Sequence, residues 1–336
     1  MRRSRRAFAP SATWSESAPA PPGMLSLVKR LKPAGDDPRV LWLRPEWGYG
    51  DHLMLTAILA GLKAEHPTLR IRLAAAHPEI FWHNPHVEEV LSVHRLGRKH
   101  PERLARYLEV VRRPPEARYL QVSGHLLDDM YDCIGIPLKE RPRQPYIYLT
   151  RWELRFRGRE VEALPRPRIA IAAHGAPDVK LPNKVYPAPQ WLELVPLLAR
   201  LGGSVLQIGT RTEGSLIAGA RDYRDLGYRH TASLLKRCDL LVTHVGGIMH
   251  LGTAVRVPTV VLYGAAEHPE VSGYPWNLNL YTPIECGPCW MREPCSHHSC
   301  MRRLTPQLVL EEVEAVLAGA SLGSRDILPP AAPQTA

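Results

Sequence analysis

The sequence predicts an α/β protein of two doubly wound parallel-sheet halves that face each other across a cleft. Three observations predict it. Short apolar runs alternate with helix-period segments in two separate series. A Pro- and Arg-rich stretch, Lys139 to Arg168, parts the series and holds no core strand of its own. The 336 residues, 45% of them hydrophobic, suit two domains of about 150 residues each.

The first series opens at Val40 with the apolar run VLWLR, expected as a strand. A turn with Gly48 and Gly50 follows, and Leu53, Leu55, Ile58, Leu59 and Leu62 then recur at helical spacing as far as His66 and Pro67. LRIRLAAA and HVEEVLSV are expected as strands, ERLARYLEVV as a helix, and ARYLQVS as the strand after it. The second series begins with the strand RIAIAAHG and the helix APQWLELVPLLARLG, where Pro196 removes a backbone hydrogen bond and predicts a kink. SVLQIGT, LLVTHVGG and PTVVLYGA read as strands, with TASLLKRCD and GIMHLGTAV as the helices between them. Thr305 before Pro306 is a cap-like start for the helix that closes the fold at Gly319. The expected organisation is an arm without order at 1–36, a first domain at 37–160, a second at 161–322 with a Cys-rich loop at 285–301, and a tail without order at 323–336.

The formal charge is +10, yet residues 1 to 35 hold seven Lys or Arg against Glu16 alone and so supply six of those charges. The folded part is only mildly basic. With three Phe in the chain and no dense basic face, no nucleic-acid partner is expected. MLSLVKRLK, from Met24, reads either as a short basic amphipathic helix on a membrane or as a linker. No stretch approaches the roughly 18 apolar residues of a membrane span. The basic start lacks the apolar core of an export signal. A cytoplasmic protein follows as the expectation, with peripheral contact at the inner face of the inner membrane.

The turn Gly48-Tyr49-Gly50-Asp51-His52 lacks the third glycine of a dinucleotide fingerprint, because Leu53 follows. Asp51 reads as a helix cap and equally as a base, since the dipole that favours a carboxylate at a helix N-terminus also keeps it ionised. Gly246 and Gly247 precede a helix start, where free N–H groups make an anion site. Arg44, ending the first strand, is a further candidate for anion contact. Cys286, Cys289, Cys295 and Cys300 have a C-x2-C-x5-C-x4-C spacing. A structural zinc or iron ion is the first expectation for them, unligated thiols the second and disulfides the last, with His297 or His298 able to replace one cysteine.

LWLRPEWGYGDHLMLTAILAGLKAEHP, followed by RIRLAA and NPHVEEVL, resembles the N-terminal signature of glycosyltransferase family 9, the ADP-heptose:lipopolysaccharide heptosyltransferases. NKVYPAPQWLELVPLL and LVTHVGGIMHLGTAVRVPTVVLYG resemble that family's Lys-x-(aromatic)-Pro segment and Gly-x-Met-His-Leu turn. The resemblance runs from about residue 39 to 318, in order. It implies a GT-B fold of two Rossmann-like domains, with the acceptor on the first and a nucleotide sugar on the second. It further implies an inverting transfer of heptose or another sugar from a nucleotide diphosphate sugar, with ADP-heptose the first expectation, to a cell-envelope glycan such as lipopolysaccharide core.

Asp51 matches the family's base and Lys184 its phosphate-binding lysine, which stabilises a leaving diphosphate without a catalytic metal; apart from the resemblance, Lys184 reads as a solvated surface residue. His250 matches a donor-site histidine, though a histidine at such a helix position also reads as a packed core residue. Gly209 and Glu213 fall where members contact the nucleoside. Similar cysteine clusters occur in some relatives, among them autotransporter heptosyltransferases with bound iron. One departure is Val245, where an acidic residue is usual; either His244 beside it substitutes or the sugar specificity differs. A protein O-heptosyltransferase, a non-catalytic glycan-binding or nucleotide-binding relative and an NAD-type nucleotide enzyme are the alternatives.

Overall fold

The computed structural model describes residues 40–45, 48–110, 124–175, 182–290 and 293–328. The arm at 1–36, the basic Met24 segment, the strand ARYLQVS and the end of the tail lie outside them. The first half runs β1 (Val40–Pro45), α1 (Tyr49–Glu65), β2 (Arg70–Ala75), β3 (Glu89–Ser92), α2 (Val93–Lys99), α3 (Pro101–Leu104), β4 (Leu108–Val110) and α4 (Leu126–Ile134). Two short helices, α5 (Arg151–Arg155) and α6 (Gly158–Glu162), lead to the second half. That half runs β5 (Arg168–Ala172), α7 (Ala188–Ala199), β6 (Ser204–Gln207), β7 (Arg221–Asp222), α8 (Tyr228–Leu235), β8 (Leu240–His244), α9 (Gly247–Val255), β9 (Thr259–Gly264), α10 (Pro269–Ser272), β10 (Leu278–Tyr281), α11 (Ser299–Arg303), α12 (Pro306–Leu317) and β11 (Gly323–Asp326).

Two parallel sheets result. The first has the order β3-β2-β1-β4 and the second β11-β10-β9-β8-β5-β6-β7. In each, the chain starts centrally and then builds outward in both directions. The order therefore reverses beside β1 in the first sheet and between β5 and β8 in the second. Such switch points leave a crevice at the carboxyl ends of the strands, because the connections on either side depart to opposite faces. Every residue of β5, β6, β9 and β10 is buried, as expected for parallel strands covered on both faces.

Helix α1 is buried around nearly its whole circumference, with Leu53 through Leu59 all inaccessible. The spacing of its leucines predicted a single apolar stripe, yet the other face is also covered, by α9 of the second half. One core cluster accordingly contains Leu55 and Ile58 from α1 together with Leu251 and Ala254 from α9. A second cluster, with Trp191, Tyr263 and Met301, fills the C-terminal half alone.

Several expectations need correction. ERLARYLEVV forms only the single turn α3 before its chain extends into β4, whose Val110 is drawn into the core. The tail is ordered further than expected, since Gly323–Asp326 pairs in parallel with β10. Strand β10 went unseen because polar Asn277 and Asn279 interrupt its apolar pattern; both are buried, and the Asn279 amide donates to the Tyr274 carbonyl at 3.0 Å. Helices α5 and α6 pack with the second half: Ser233 Oγ donates to the Glu153 carbonyl and Arg168 to the Glu162 carbonyl. No described helix is long and apolar enough to cross a membrane.

Candidate functional site

A cavity of about 480 Å³ lies between the halves, at the two switch points. From the first half it is lined by Gly48, Tyr49, Gly50 and Asp51, at the start of α1. From the second it is lined by His174 after β5, Lys184, the Gly209 turn after β6, and His244 through Gly247 after β8. Seven residues singled out in the sequence therefore share one space: Asp51, Lys184, Gly209, Glu213, Gly246, Gly247 and His250.

The turn that presents Asp51 is fixed from behind by His52. Its Nε2 accepts from the His77 backbone N–H, so the ring proton sits on Nδ1 and is donated to the Gly48 carbonyl at 2.9 Å. Burial holds His52 neutral, with its pKa lowered to about 4. Asp51 stands in the first turn and accepts from the Gly48 N–H at 3.2 Å. Capping and cleft position thus coexist in the same carboxylate. Gly50 is required by close approach, since a Cβ there would lie 2.7 Å from His250 Cδ2.

Above this turn the Tyr49 ring is sandwiched between His77, 3.7 Å away, and Tyr228 of the second half, 4.2 Å away. Tyr228 also donates to the Gly247 carbonyl at 2.6 Å. A deeper tie is Arg229, whose guanidinium meets the Glu153 carboxylate and donates to the backbone carbonyls of Glu79 and Tyr148. These contacts join the two halves at one side of the cavity.

Lys184 lies in a short 3-10 turn and forms an ion pair with Glu267. Glu267 is 2% exposed and also accepts from Ser272 Oγ. The Lys184 ammonium sits 4.6 Å from the centre of the Trp290 ring. Sequence reasoning missed Glu267, an acidic side chain that lines the same cavity as Val245. Val245 is itself 4% exposed and packed in the second core. His244 is held neutral near pKa 4, chiefly by burial and then by the Lys184 charge. A neutral imidazole cannot supply the charge of a carboxylate, and its Nδ1 is buried with no partner among the described residues.

Glu213 folds back on its own turn, accepting from the Thr210 N–H at 3.0 Å. Gly209 there has φ +112°, a conformation that favours glycine. Arg44 does not line the cavity. Alternation along β1 buries Leu41 and Leu43 and turns Arg44 to the opposite face, where it pairs with Glu109 of the neighbouring strand at 3.0 Å.

The four cysteines do not assemble as a ligand set. Among the described residues no three Cys, His, Asp or Glu side chains are arranged to hold a metal ion. Cys286 is exposed and Cys300 buried, while the Cys295 sulfur accepts from the His298 N–H at 3.3 Å. Burial pushes the Cys300 thiol upward, with the neighbouring Cys289 and Cys286 adding to it. Hydrogen bonds tie this loop to the Lys184 segment instead: Asn183 Oδ1 accepts from the Cys295 N–H, and Asn183 Nδ2 donates to the Glu293 carbonyl.

Comparison with known proteins gives this geometry a family. The model of glycosyltransferase family 9 (heptosyltransferase) matches residues 94–299, more than half of the chain. Lipooligosaccharide heptosyltransferase 2 of Campylobacter jejuni subsp. jejuni serotype O:6 is 35% identical over 82 residues, 23% of this chain and 25% of that protein. The chain thus spans about a quarter of the length of the curated relatives it matches. Among solved structures, E. coli ADP-heptose lps heptosyltransferase II has a TM-score of 0.61 at 20% identity, over 83% of this chain and 98% of that one. The bacterial iron-containing dodecameric glycosyltransferase TibC, from enterotoxigenic E. coli, has a TM-score of 0.60 at 18% identity, over 83% of this chain and 76% of that one. At such identities the likeness is one of fold, and that fold is GT-B. With the family model covering most of its length, this chain belongs to glycosyltransferase family 9, the heptosyltransferase family.

Proposed function

We propose that this protein is an inverting glycosyltransferase that moves a heptose from a nucleotide diphosphate sugar, ADP-heptose, to a hydroxyl of a cell-envelope glycan such as lipopolysaccharide core. The supporting observation is that Asp51 and Lys184, contributed by opposite halves, line one cavity of about 480 Å³. In the reaction the acceptor oxygen bonds to the anomeric carbon as the bond from that carbon to the diphosphate oxygen breaks. The hydroxyl proton passes to Asp51. The departing diphosphate takes the bonding electrons toward Lys184 and the N–H groups at the start of α9, beyond Gly246 and Gly247. No catalytic metal is assigned a step.

In this reading His250 and the Gly209–Glu213 turn contact the donor, and Glu267, which lines the same cavity, takes the part of the acidic residue replaced by Val245. In α5 and just after it, two adjacent pairs, Arg151 with Trp152 and Arg155 with Phe156, are exposed. That chemistry suits peripheral contact with an anionic membrane at its cytoplasmic face.

The test offers purified protein a panel of nucleotide sugars with lipopolysaccharide acceptors truncated before the heptose region, reading products by mass spectrometry. ADP-heptose is expected to add one heptose. Asp51→Ala is expected to lose about 10²–10⁴ in rate while ADP affinity by calorimetry stays close to wild type. Full turnover by that variant removes the base assignment. Nucleotide-sugar binding without transfer on any acceptor favours the non-catalytic reading.

A further inference from the structure

We propose that Tyr274 is a positioning residue: it holds His250 in the tautomer that carries its proton on Nε2, so that a donor faces the start of α1 beside Asp51. The expected effect on rate rests on the transferase reading above, whereas the tautomer itself does not.

Tyr274 is 1% exposed, and its hydroxyl lies 2.7 Å from His250 Nδ1. The two rings meet edge to face, with centroids 5.6 Å apart at 88°. Trp276 also stacks on the tyrosine at 5.7 Å, so the phenol is held in place by packing independent of its hydroxyl. Burial, reinforced by the Asp51 carboxylate, raises the phenol well above the usual tyrosine range, and it keeps its proton. A phenol has one proton to give. If it goes to Nδ1, that nitrogen accepts, and a neutral imidazole must then carry its own proton on Nε2.

The edge bearing Nε2 faces the first turn of α1. A Cβ on Gly50 would lie 3.2 Å from Nε2, and Asp51 is the next residue. Asp51 and His250 both line the cavity. In the transferase reading this is where a carboxylate and a sugar diphosphate come together. An Nε2–H offers both a hydrogen bond; an Nε2 lone pair would repel them. Fixing the proton through the far nitrogen is a general way to aim an imidazole. The phenol itself touches neither reacting atom, so its influence passes through His250.

The experiment uses the full chain labelled with ¹⁵N in its histidine rings, with His250 assigned by loss of its signals in His250→Gln. Long-range proton–nitrogen spectra are recorded at a pH where the ring is neutral. In the wild type, Nδ1 is expected at the shift of an unprotonated ring nitrogen and Nε2 at that of a protonated one. In Tyr274→Phe, which keeps the ring packing and removes only the hydroxyl, both shifts are expected to move toward the tautomer average. The same variant is expected to lose about tenfold in kcat with KM for the nucleotide sugar little changed, and to lose nothing further when added to His250→Gln.

A protonated Nδ1 in the wild type, or unchanged ring shifts in Tyr274→Phe, overturns the proposal. The wild-type spectrum decides even if the variant does not fold. Should no nucleotide sugar support transfer, the functional reading falls while the spectra still decide the tautomer.

Discussion

Lys184 and Glu267 form an ion pair inside the cleft, with Glu267 almost fully buried and its other oxygen held by Ser272. Breaking a buried pair by removing one partner costs about 3–5 kcal/mol, because the remaining charge keeps its desolvation penalty. Lys184→Ala is therefore expected to lower the melting temperature. Its kcat/KM is expected to fall by about 10²–10³, the scale for losing one preorganised partner of a developing charge. Lys184→Met combined with Glu267→Gln removes both charges and is expected to recover most of the stability and none of the rate. Thermal melts and initial rates separate the two. Recovery of rate along with stability would show that the ammonium does not act on the diphosphate.

The pair between Arg229 and Glu153 predicts how stability responds to acid. The Arg229 guanidinium first, and then the backbone N–H and hydroxyl of Thr150, hold the Glu153 carboxyl at about 2. The ordinary value for a glutamate is about 4.3. Because the folded value is depressed, the stabilisation is complete above the ordinary value and is lost as pH falls through about 2. Calorimetric melts are expected to change little through this group between about pH 7 and pH 5 and to decline below. In Glu153→Gln the neutral-pH melting temperature drops and the acid limb becomes shallower. Parallel acid limbs in the two proteins would remove this pair from the account.

Much of this site was legible because its grammar is local. A strand, a turn with glycine and a helix mark the Asp51 and Gly246 turns, and each sits at a switch point where a crevice must form. Arg44 was misread because its neighbours along the chain do not reveal which face of β1 it takes; the register opposite Glu109 does. Glu267, Tyr228 and Tyr274 carry no local signature. Their partners Lys184, Tyr49 and His250 lie 83, 179 and 24 residues away in sequence, so only the folded arrangement identifies them. The same limit explains α3 and β4: ERLARYLEVV has helical periodicity, but pairing of Leu108 to Val110 with β1 prevails over it.

Close packing at Gly50 gives a further test of how the halves meet. A methyl group there would stand 2.7 Å from His250 Cδ2, an overpacking that costs about 1–3 kcal/mol. The gain in helix propensity from glycine to alanine, about 1 kcal/mol, offsets part of it. Gly50→Ala is expected to destabilise the wild type but to be neutral or stabilising when His250→Ala has opened the space. A double-mutant cycle by denaturant unfolding reads this coupling. Additive effects would mean that α1 and α9 do not touch here in solution.

The cysteine loop separates a metal site from a set of thiols. Cys286 is exposed, whereas Cys300 is buried with its thiol pushed upward. Thiolate is the reactive form, so exposure favours Cys286 while the raised, buried thiol disfavours Cys300. Alkylation near neutral pH, followed by peptide mass spectrometry, is expected to modify Cys286 first and Cys300 last. Elemental analysis of the purified chain is expected to find well under one equivalent of zinc or iron, with a chelator leaving the melting temperature unchanged. One tightly held equivalent, four protected thiols and a melt lowered by chelation would mean that the loop closes around an ion in solution. Asn183 would then be tethered to a metal-held loop through its bonds to Glu293 and Cys295, and chelation would be expected to disturb Lys184 beside it and weaken nucleotide-sugar binding.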